Sequence, residues 1–342
     1  IEAAEKSFKI GDAEYPAGSW IITGGSGVRD KLSTVGTDLG LDFLSTPSTP
    51  DVSLHALDLP RLAVYHNWMS TLDAGCVRYT FDQGGFEYEY ISDDDIKRGD
   101  LKRRFDVILM PDSIGNPRAL IHGIDPKNGP IAYTKTEQFP SHGVPDGSPD
   151  ITGGIGFAGM ANLQKFLADG GLFVALADAG LLPVEGGLVR DVNRFRGAGL
   201  FTPGSEVRAM FRRPDHPIAY GYAGKTSIFR GNGALFEVAE KDEGMIVLQF
   251  GTKKALPYGE EEPKDGKKDS KGEEKPEPIC LSGLVKGEDD LSTKPAILDV
   301  PAGKGRVVLF AFNPLHRFLN HSDFRLVYNV ILNYNDLPQA EK

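Results

Sequence analysis

Short apolar runs alternate with segments of helical spacing along most of the 342 residues. The clearest run is Arg306-Val307-Val308-Leu309-Phe310-Ala311-Phe312, which follows the turn Gly303-Lys304-Gly305 and reads as a buried strand. It stops at Pro314, and the polar group Asn313 to Arg317 stands at its carboxyl end. From Leu59 onward the same logic repeats. Strands are predicted at Arg61–Tyr65, Phe86–Ile91, Phe105–Pro111 and Leu172–Leu176. They are separated by a helix around Ala74–Asp82, a polar helix Asp94–Arg103, and a helix Phe157–Asp169 capped by Gly170-Gly171. This alternation marks a parallel sheet flanked by helices. Phe105–Pro111, apolar throughout, is expected to be central.

Less regular segments frame this core. Residues 1–57 form a small unit with a short strand at Trp20–Thr23, a helix Val28–Leu39 closed by Gly40, and a linker Leu44–Asp58 rich in Ser, Thr and Pro. A boundary follows near residue 58, with one large domain over 58–342. Residues 112–152, rich in Gly, Pro and Asp, make a long excursion over the carboxyl edge of the sheet, and loops of that length tend to be functional or disordered. Strands around Ser205–Phe211, Ser227–Phe229, Leu235–Val238 and Met245–Phe250 predict an antiparallel extension. Another at Ala296–Val300 and a helix Ser322–Asn333 complete the chain. The Lys/Glu/Asp/Gly segment 259–278 has too little apolar surface to offset its ordering entropy, so a disordered loop is expected.

Composition narrows the partners. With 40% apolar and 25% charged residues the chain is an ordinary globular one, and its net charge of −10 argues against nucleic acid and anionic membranes. No apolar run approaches the ~18 residues of a membrane span. Cys76 and Cys280 show no metal or redox spacing and are compatible with a bridge or with two free thiols. The start at Ile1 reads as a piece of a longer chain.

In open parallel sheets, ligands bind beyond the carboxyl ends of the strands. His66, Asn67 and Trp68 follow the first strand there, Asp178 the fourth, and Asn313, His316 and Arg317 the last. The seven histidines form no H-x-x-E, H-x-H or H-E-x-x-H, so no metal site is expected, and His316 and His321 are only five residues apart across a helix start. Gly154-Ile155-Gly156-Phe157-Ala158-Gly159 matches G-x-G-x-x-G by letter. Because a Pro/Asp/Thr loop precedes it rather than a strand, glycines opening a tight turn explain it without a nucleotide, and no cofactor is expected. No G-x-S-x-G appears, and Ser113 has no elbow glycines around it.

The order of elements resembles the class I glutamine amidotransferase-like fold, a flavodoxin-like parallel sheet with helices on both faces. Members of that family carry a G-x-C-x-G elbow after the fourth strand and F-H-P-E after a late one. Leu176-Ala177-Asp178-Ala179-Gly180 and Phe312-Asn313-Pro314-Leu315 stand in those places. The resemblance thus puts Asp178 at the cysteine, Asn313 at the histidine and Leu315 at the acid, a degenerate triad. Tyr15-Pro16-Ala17-Gly18-Ser19, the segment from Gly153-Gly154-Ile155-Gly156 to Gly170-Gly171, and Gly303 to Leu309 with Asn313 to Arg317 are similar to the C-terminal region of secreted bacterial zinc carboxypeptidase-like proteins. That likeness implies a secreted or periplasmic, non-catalytic accessory portion attached to an N-terminal peptidase domain, with a peptide or glycan as the expected ligand of His66, Asn67, Trp68, Asp178, His316 and Arg317. The rival expectation is a hydrolase in which Asp178 works with a nearby histidine on such a substrate.

Overall fold

A computed structural model describes residues 1–113, 116–197, 199–253 and 277–338. Ten strands make the main sheet: β1 (Leu62–Tyr65), β2 (Glu89–Ile91), β3 (Val107–Met110), β4 (Leu172–Leu176), β5 (Ser205–Phe211), β6 (Lys225–Arg230), β7 (Ile246–Phe250), β8 (Cys280–Ser282), β9 (Pro295–Ala302) and β10 (Gly305–Phe310). Their order is β6-β5-β7-β9-β10-β4-β3-β1-β2, with β8 beside β5. From β10 to β2 all pairings are parallel, and from β10 outward through β9, β7, β5 and β6 all are antiparallel. Counted along the chain, the five parallel strands lie in the order 2-1-3-4-5, with the chain reversing direction across the sheet between β1 and β3. That is the flavodoxin-like order, and its switch point is where such sheets place their ligands.

The burial of the strands explains why they read so clearly. Every residue of β1, β3, β4, β7 and β10 is buried, as expected of a sheet covered on both sides. The helices α2 (Leu72–Gly84), α3 (Asp93–Arg98), α4 (Gly156–Ala168) and α5 (His321–Leu332) divide the work of covering it, while α1 (Ser26–Leu39), with no buried residue, belongs to the N-terminal unit. The helices α3 and α4 pack together. On the other side Phe86, just after α2, meets Tyr328 of α5 at 4.7 Å between ring centroids. The polar segment expected as one helix over Asp94–Arg103 is two, Asp93–Arg98 and Leu101–Arg104, because Gly99 and the left-handed Asp100 (φ 53°) break it. Leu235–Val238 does not join the main sheet but pairs with Val192–Phe195 in a separate ribbon. Apart from its last two residues, the charged segment 259–278 lies outside the described residues.

The N-terminal unit is built from short strands around α1, which Gly40 ends in a left-handed conformation at φ 65°. Leu54–Ala56, within the stretch expected as a linker, is a strand paired with Glu2–Ala4. The unit is tied to the main domain through His55, whose Nε2 lies 2.8 Å from Asn333 Oδ1 and whose ring stacks on Tyr220.

One glycine fixes the central register. A Cβ on Gly305, at the start of β10, would lie 2.1 Å from the Gly171 carbonyl oxygen and 2.7 Å from that of Leu167. Gly305→Ala is therefore expected to cost about 1–3 kcal/mol, the range for overpacking, read as a lower urea midpoint at unchanged slope. A midpoint equal to wild type would refute this close approach of α4 and β10.

Candidate functional site

The carboxyl ends of β1, β3, β4 and β10 meet in a chain of polar contacts. After β1, the side-chain Oδ1 of Asn67 accepts the backbone N–H groups of Met69 and Ser70, both at 2.9 Å, and its Nδ2 donates to Ser113 Oγ at 2.7 Å. After β3, Asp112 Oδ1 accepts the N–H of Ser113 (2.8 Å) and of Asp178 (3.1 Å). After β4, Asp178 Oδ1 accepts the N–H of Ala234 at 2.7 Å. After β10, Asn313 donates to Asp73 Oδ1 of α2 at 2.8 Å and accepts the N–H of Leu315 at 3.2 Å. The ends of β1, β3 and β4 are thus bonded in sequence by short polar side chains, while the end of β10 is held to α2.

The electrostatics are one-sided. Burial, followed by the negative charges of Asp178 and Asp73, pushes the Asp112 carboxyl up to about 7, so near neutrality it holds a proton part of the time. Beneath this rim lies Arg230, fully buried and in no ion pair among the described residues. Its guanidinium donates to the carbonyls of Ala311 and of Gly233 (2.9 Å) and stands 4.9 Å from the Phe250 ring centroid. Burial pulls it down to about 10, and the charge of Asp178 acts the other way.

The backbone at the strand-to-helix turn after β4 is strained at Ala177, a non-glycine residue at φ 48°, and the chain continues as two short helical turns, Ala177–Gly180 and Leu181–Glu185. In a nucleophile elbow the strained residue is the one that carries the nucleophile. Here it carries a methyl group, and Asp178 is the next residue along. Leu315 is fully buried.

The expected site residues separate into three groups. Asn67 and Asp178 join through Ser113 and Asp112, as above. His66 and Trp68 pack together, ring centroids 4.7 Å apart, and His66 stacks on Tyr90 at 4.2 Å. His316 stacks on Phe229 at 5.3 Å and its Nδ1 is 3.7 Å from Asp73 Oδ1, while Arg317 is exposed in a left-handed conformation at φ 51°. Asp178 makes no hydrogen bond or ion pair with a histidine among the described residues. His321 packs on Phe318 and Phe324, in no ring contact with His316. Cys76 and Cys280 are both free. Among the described residues no group of His, Cys, Asp and Glu could hold a metal ion, and no helix is long and apolar enough to cross a membrane.

Asp112, Asp73 and Asp146 were not singled out from the sequence. Asp112 had a signal, its place directly after the central apolar strand. The G-x-G-x-x-G stretch is accounted for by packing, since a Cβ on Gly154 would lie 2.2 Å from the Leu120 carbonyl oxygen and one on Gly159 would lie 2.8 Å from the Ile155 side chain. A cavity of about 1070 Å³ lies in the N-terminal unit between α1 and residues such as Trp20 and Phe43, with Arg29 and Asp42 its only charged lining groups. The carboxyl edge carries the clustered titratable groups, and chemistry points there rather than to that opening.

No family model matches the chain, and no curated protein matches it. Solved structures are similar in fold. A β-galactosidase from Bacillus circulans sp. alkalophilus is 12% identical over 80% of this chain and 31% of its own, with a TM-score of 0.40. The chain therefore spans about a third of that enzyme. A ThuA-like protein from Bacteroides uniformis is 9% identical, covering 83% of this chain and 93% of its own (TM-score 0.39). A glutamine amidotransferase from Thermotoga maritima is 10% identical, covering 81% and 86% (TM-score 0.37). Likenesses this distant concern the fold, and no ligand or activity is carried over from them.

Proposed function

We propose that this chain is a non-catalytic binding domain on an amidotransferase-like frame, the accessory portion of a secreted or periplasmic zinc carboxypeptidase-like protein, with a peptide or glycan bound at the carboxyl edge. The observation that carries the reading is Ala177. Acyl transfer needs a nucleophile activated by a base that a third group orients. At the strained position of this turn there is a methyl group, the neighbouring strand end offers Asn313, and Leu315 is in the core. The remaining polar groups are positioned to bind. Asp73, Asp112 and Asp178 supply acceptors, held in place by Asn313, by the Ser113 N–H and by the Ala234 N–H respectively, and such an edge suits a ligand rich in N–H or O–H donors.

A second reading, a hydrolase, has one observation in its favour: Asp112, raised to about 7 beside Asp178, is a carboxyl able to carry a proton at neutral pH. The histidines expected as its partners are engaged elsewhere, His66 by Asp146 and His316 near Asp73.

Both readings are tested by one panel. Peptides and oligosaccharides are screened by thermal shift, hits are titrated by calorimetry, and the same compounds are followed for turnover. Binding without turnover, weakened at least tenfold in Asp178→Ala, is the expected result. Turnover abolished by Asp112→Asn or Asp178→Asn would establish the hydrolase instead, and no binding by any compound would leave the edge a structural element.

A further inference from the structure

We propose that residues 124–152 form a lid over the carboxyl end of β1, latched by His66 to Asp146 and released by acid. The segment is closed at a neck where Ile124 bridges Thr152 and Gly153. Glycines make that neck possible: Gly123 and Gly153 are left-handed at φ 62° and 74°, and a Cβ on Gly123 would sit 1.8 Å from the Gly153 carbonyl oxygen. Within the loop Tyr133 and Ser148 exchange backbone hydrogen bonds at 2.8 and 3.3 Å, and Ile151 donates to Ile131 at 2.8 Å. It therefore has internal order of its own. Between 124 and 152, however, Ser148 is the sole buried residue. A segment that buries so little apolar surface sits at the low end of local stability.

Few contacts hold it down. Asp146 Oδ2 is 2.9 Å from His66 Nε2, Ser148 Oγ donates to Asp94 at 2.8 Å, and Tyr133 packs on Trp68 at 5.5 Å. Outward from Tyr133 the rings of His142 and Phe139 continue the stack. The latch is the buried member, for the His66 side chain is 2% exposed. Its surroundings come from four elements besides the lid. Tyr90 of β2 stacks on it, Trp68 beyond β1 meets it edge-on, Asp95 of α3 acts on it by charge, and Arg78 of α2 lies 4.7 Å from the Tyr90 ring. Nδ1 of His66 is buried with no hydrogen-bond partner. A second proton on this ring would be buried, with the Asn67 backbone as the group offsetting its cost beside Asp146.

The sign follows from those surroundings. Burial lowers the affinity of His66 for a proton and outweighs Asp146, the Asn67 backbone and Asp95, which favour the charged ring. With the lid open, the imidazole meets water and titrates near its ordinary value of about 6.5. The open form then binds more protons, so its population relative to the closed form rises by up to about tenfold per pH unit below that value. This goes beyond the proposed ligand role, and its test needs no ligand.

Trp68 reports the opening, since the chain has two tryptophans and Trp20 can be removed. In a Trp20→Phe background, acrylamide quenching of Trp68 is measured from pH 7.5 to pH 5. Quenching is expected to rise steeply below about pH 6.5 and to lose that rise in His66→Gln, which keeps an N–H for Asp146 but cannot titrate. Quenching independent of pH, or an equal rise in His66→Gln, overturns the proposal. Asp146→Asn, at a partly exposed loop position, gives a check that does not depend on changing the buried ring. It should already show at pH 7.5 quenching well above wild type, and a wild-type value there also overturns the latch.

Discussion

Arg306→Met is expected to lower the unfolding free energy by about 3–5 kcal/mol, the range for breaking a buried ion pair by removing one partner. Arg306 Nε donates to Asp299 Oδ1 at 2.7 Å and Nη2 to Oδ2 at 2.5 Å, and Nη2 also reaches the Pro338 carbonyl at 2.8 Å. The same Oδ2 also faces His216 Nε2 at 3.0 Å. His216 Nδ1 accepts the N–H of Ile218 at 3.2 Å, so the ring proton is on Nε2 and the imidazole donates to Asp299 as a neutral group. The Asp299 and His216 side chains are both 0% exposed. Burial alone would raise the Asp299 carboxyl, but hydrogen bonds from His216 and Arg306 hold it below the usual range. With the guanidinium gone, that balance reverses and a buried charge is left with one neutral donor.

The counter-experiment separates charge from packing. Arg306→Met combined with Asp299→Asn removes both charges and keeps an acceptor for His216, so most of the loss should be recovered, because isolated buried charges cost far more than neutral polar groups. Urea unfolding of the two variants and wild type at pH 7 decides it. A single-variant loss below about 1 kcal/mol, the level of an exposed pair, would mean that this cluster does not act as a buried one. So would a double variant no more stable than the single.

Why these residues escaped a reading of the sequence, while the strands did not, has a common physical cause. Val107 to Met110 and Val307 to Phe310 are legible because burial on both faces forces an unbroken apolar run, which is a local signal. Gly40 is legible because a helix end needs a left-handed residue. Leu54–Ala56 lies in a Ser/Thr/Pro stretch and is a strand only because Glu2–Ala4 pairs with it from far along the chain. The same holds at the site. Topology alone puts His66, Asn67, Asp178 and Asn313 at strand ends, since the end of a buried run is visible. That Asp146 reaches back to His66 across 80 positions, or that Arg230 in an alternating strand is wholly buried, depends on tertiary contacts with no local trace. The left-handed φ of Ala177 is equally silent, because alanine has no preference for that conformation.

Lowering the pH from 8 to 6.5 is expected to stabilise the protein by about 3 kcal/mol through three carboxyls. Asp323 is pushed up to about 8, by burial first and then by Glu206. Asp93 is pushed up to about 7, by burial and by Asp94, and Asp112 likewise to about 7, by burial and by Asp178 and Asp73. The Asp323 environment explains the size of its shift. It is almost fully buried, Oδ2 accepts the N–H of Phe229 at 3.0 Å, and the Asn320 and Ser322 side chains offset the burial only in part. Each of the three has a folded pKa above its unfolded one, so the native state binds more protons than the unfolded chain and stability rises as pH falls through the folded values. Asp323 supplies about half of the expected gain, because its folded value lies highest. Below about 6.5 the effect is opposed by His66 and His216, whose rings burial pulls down and which resist charging in the native state. Chemical unfolding at pH 8.0 and 6.5 measures the gain directly, and Asp323→Asn should roughly halve it while raising stability at pH 8. A protein equally stable at both pH values, or more stable at pH 8, would contradict the burial of these carboxyls, and an unaltered pH dependence in Asp323→Asn would remove Asp323 from the account.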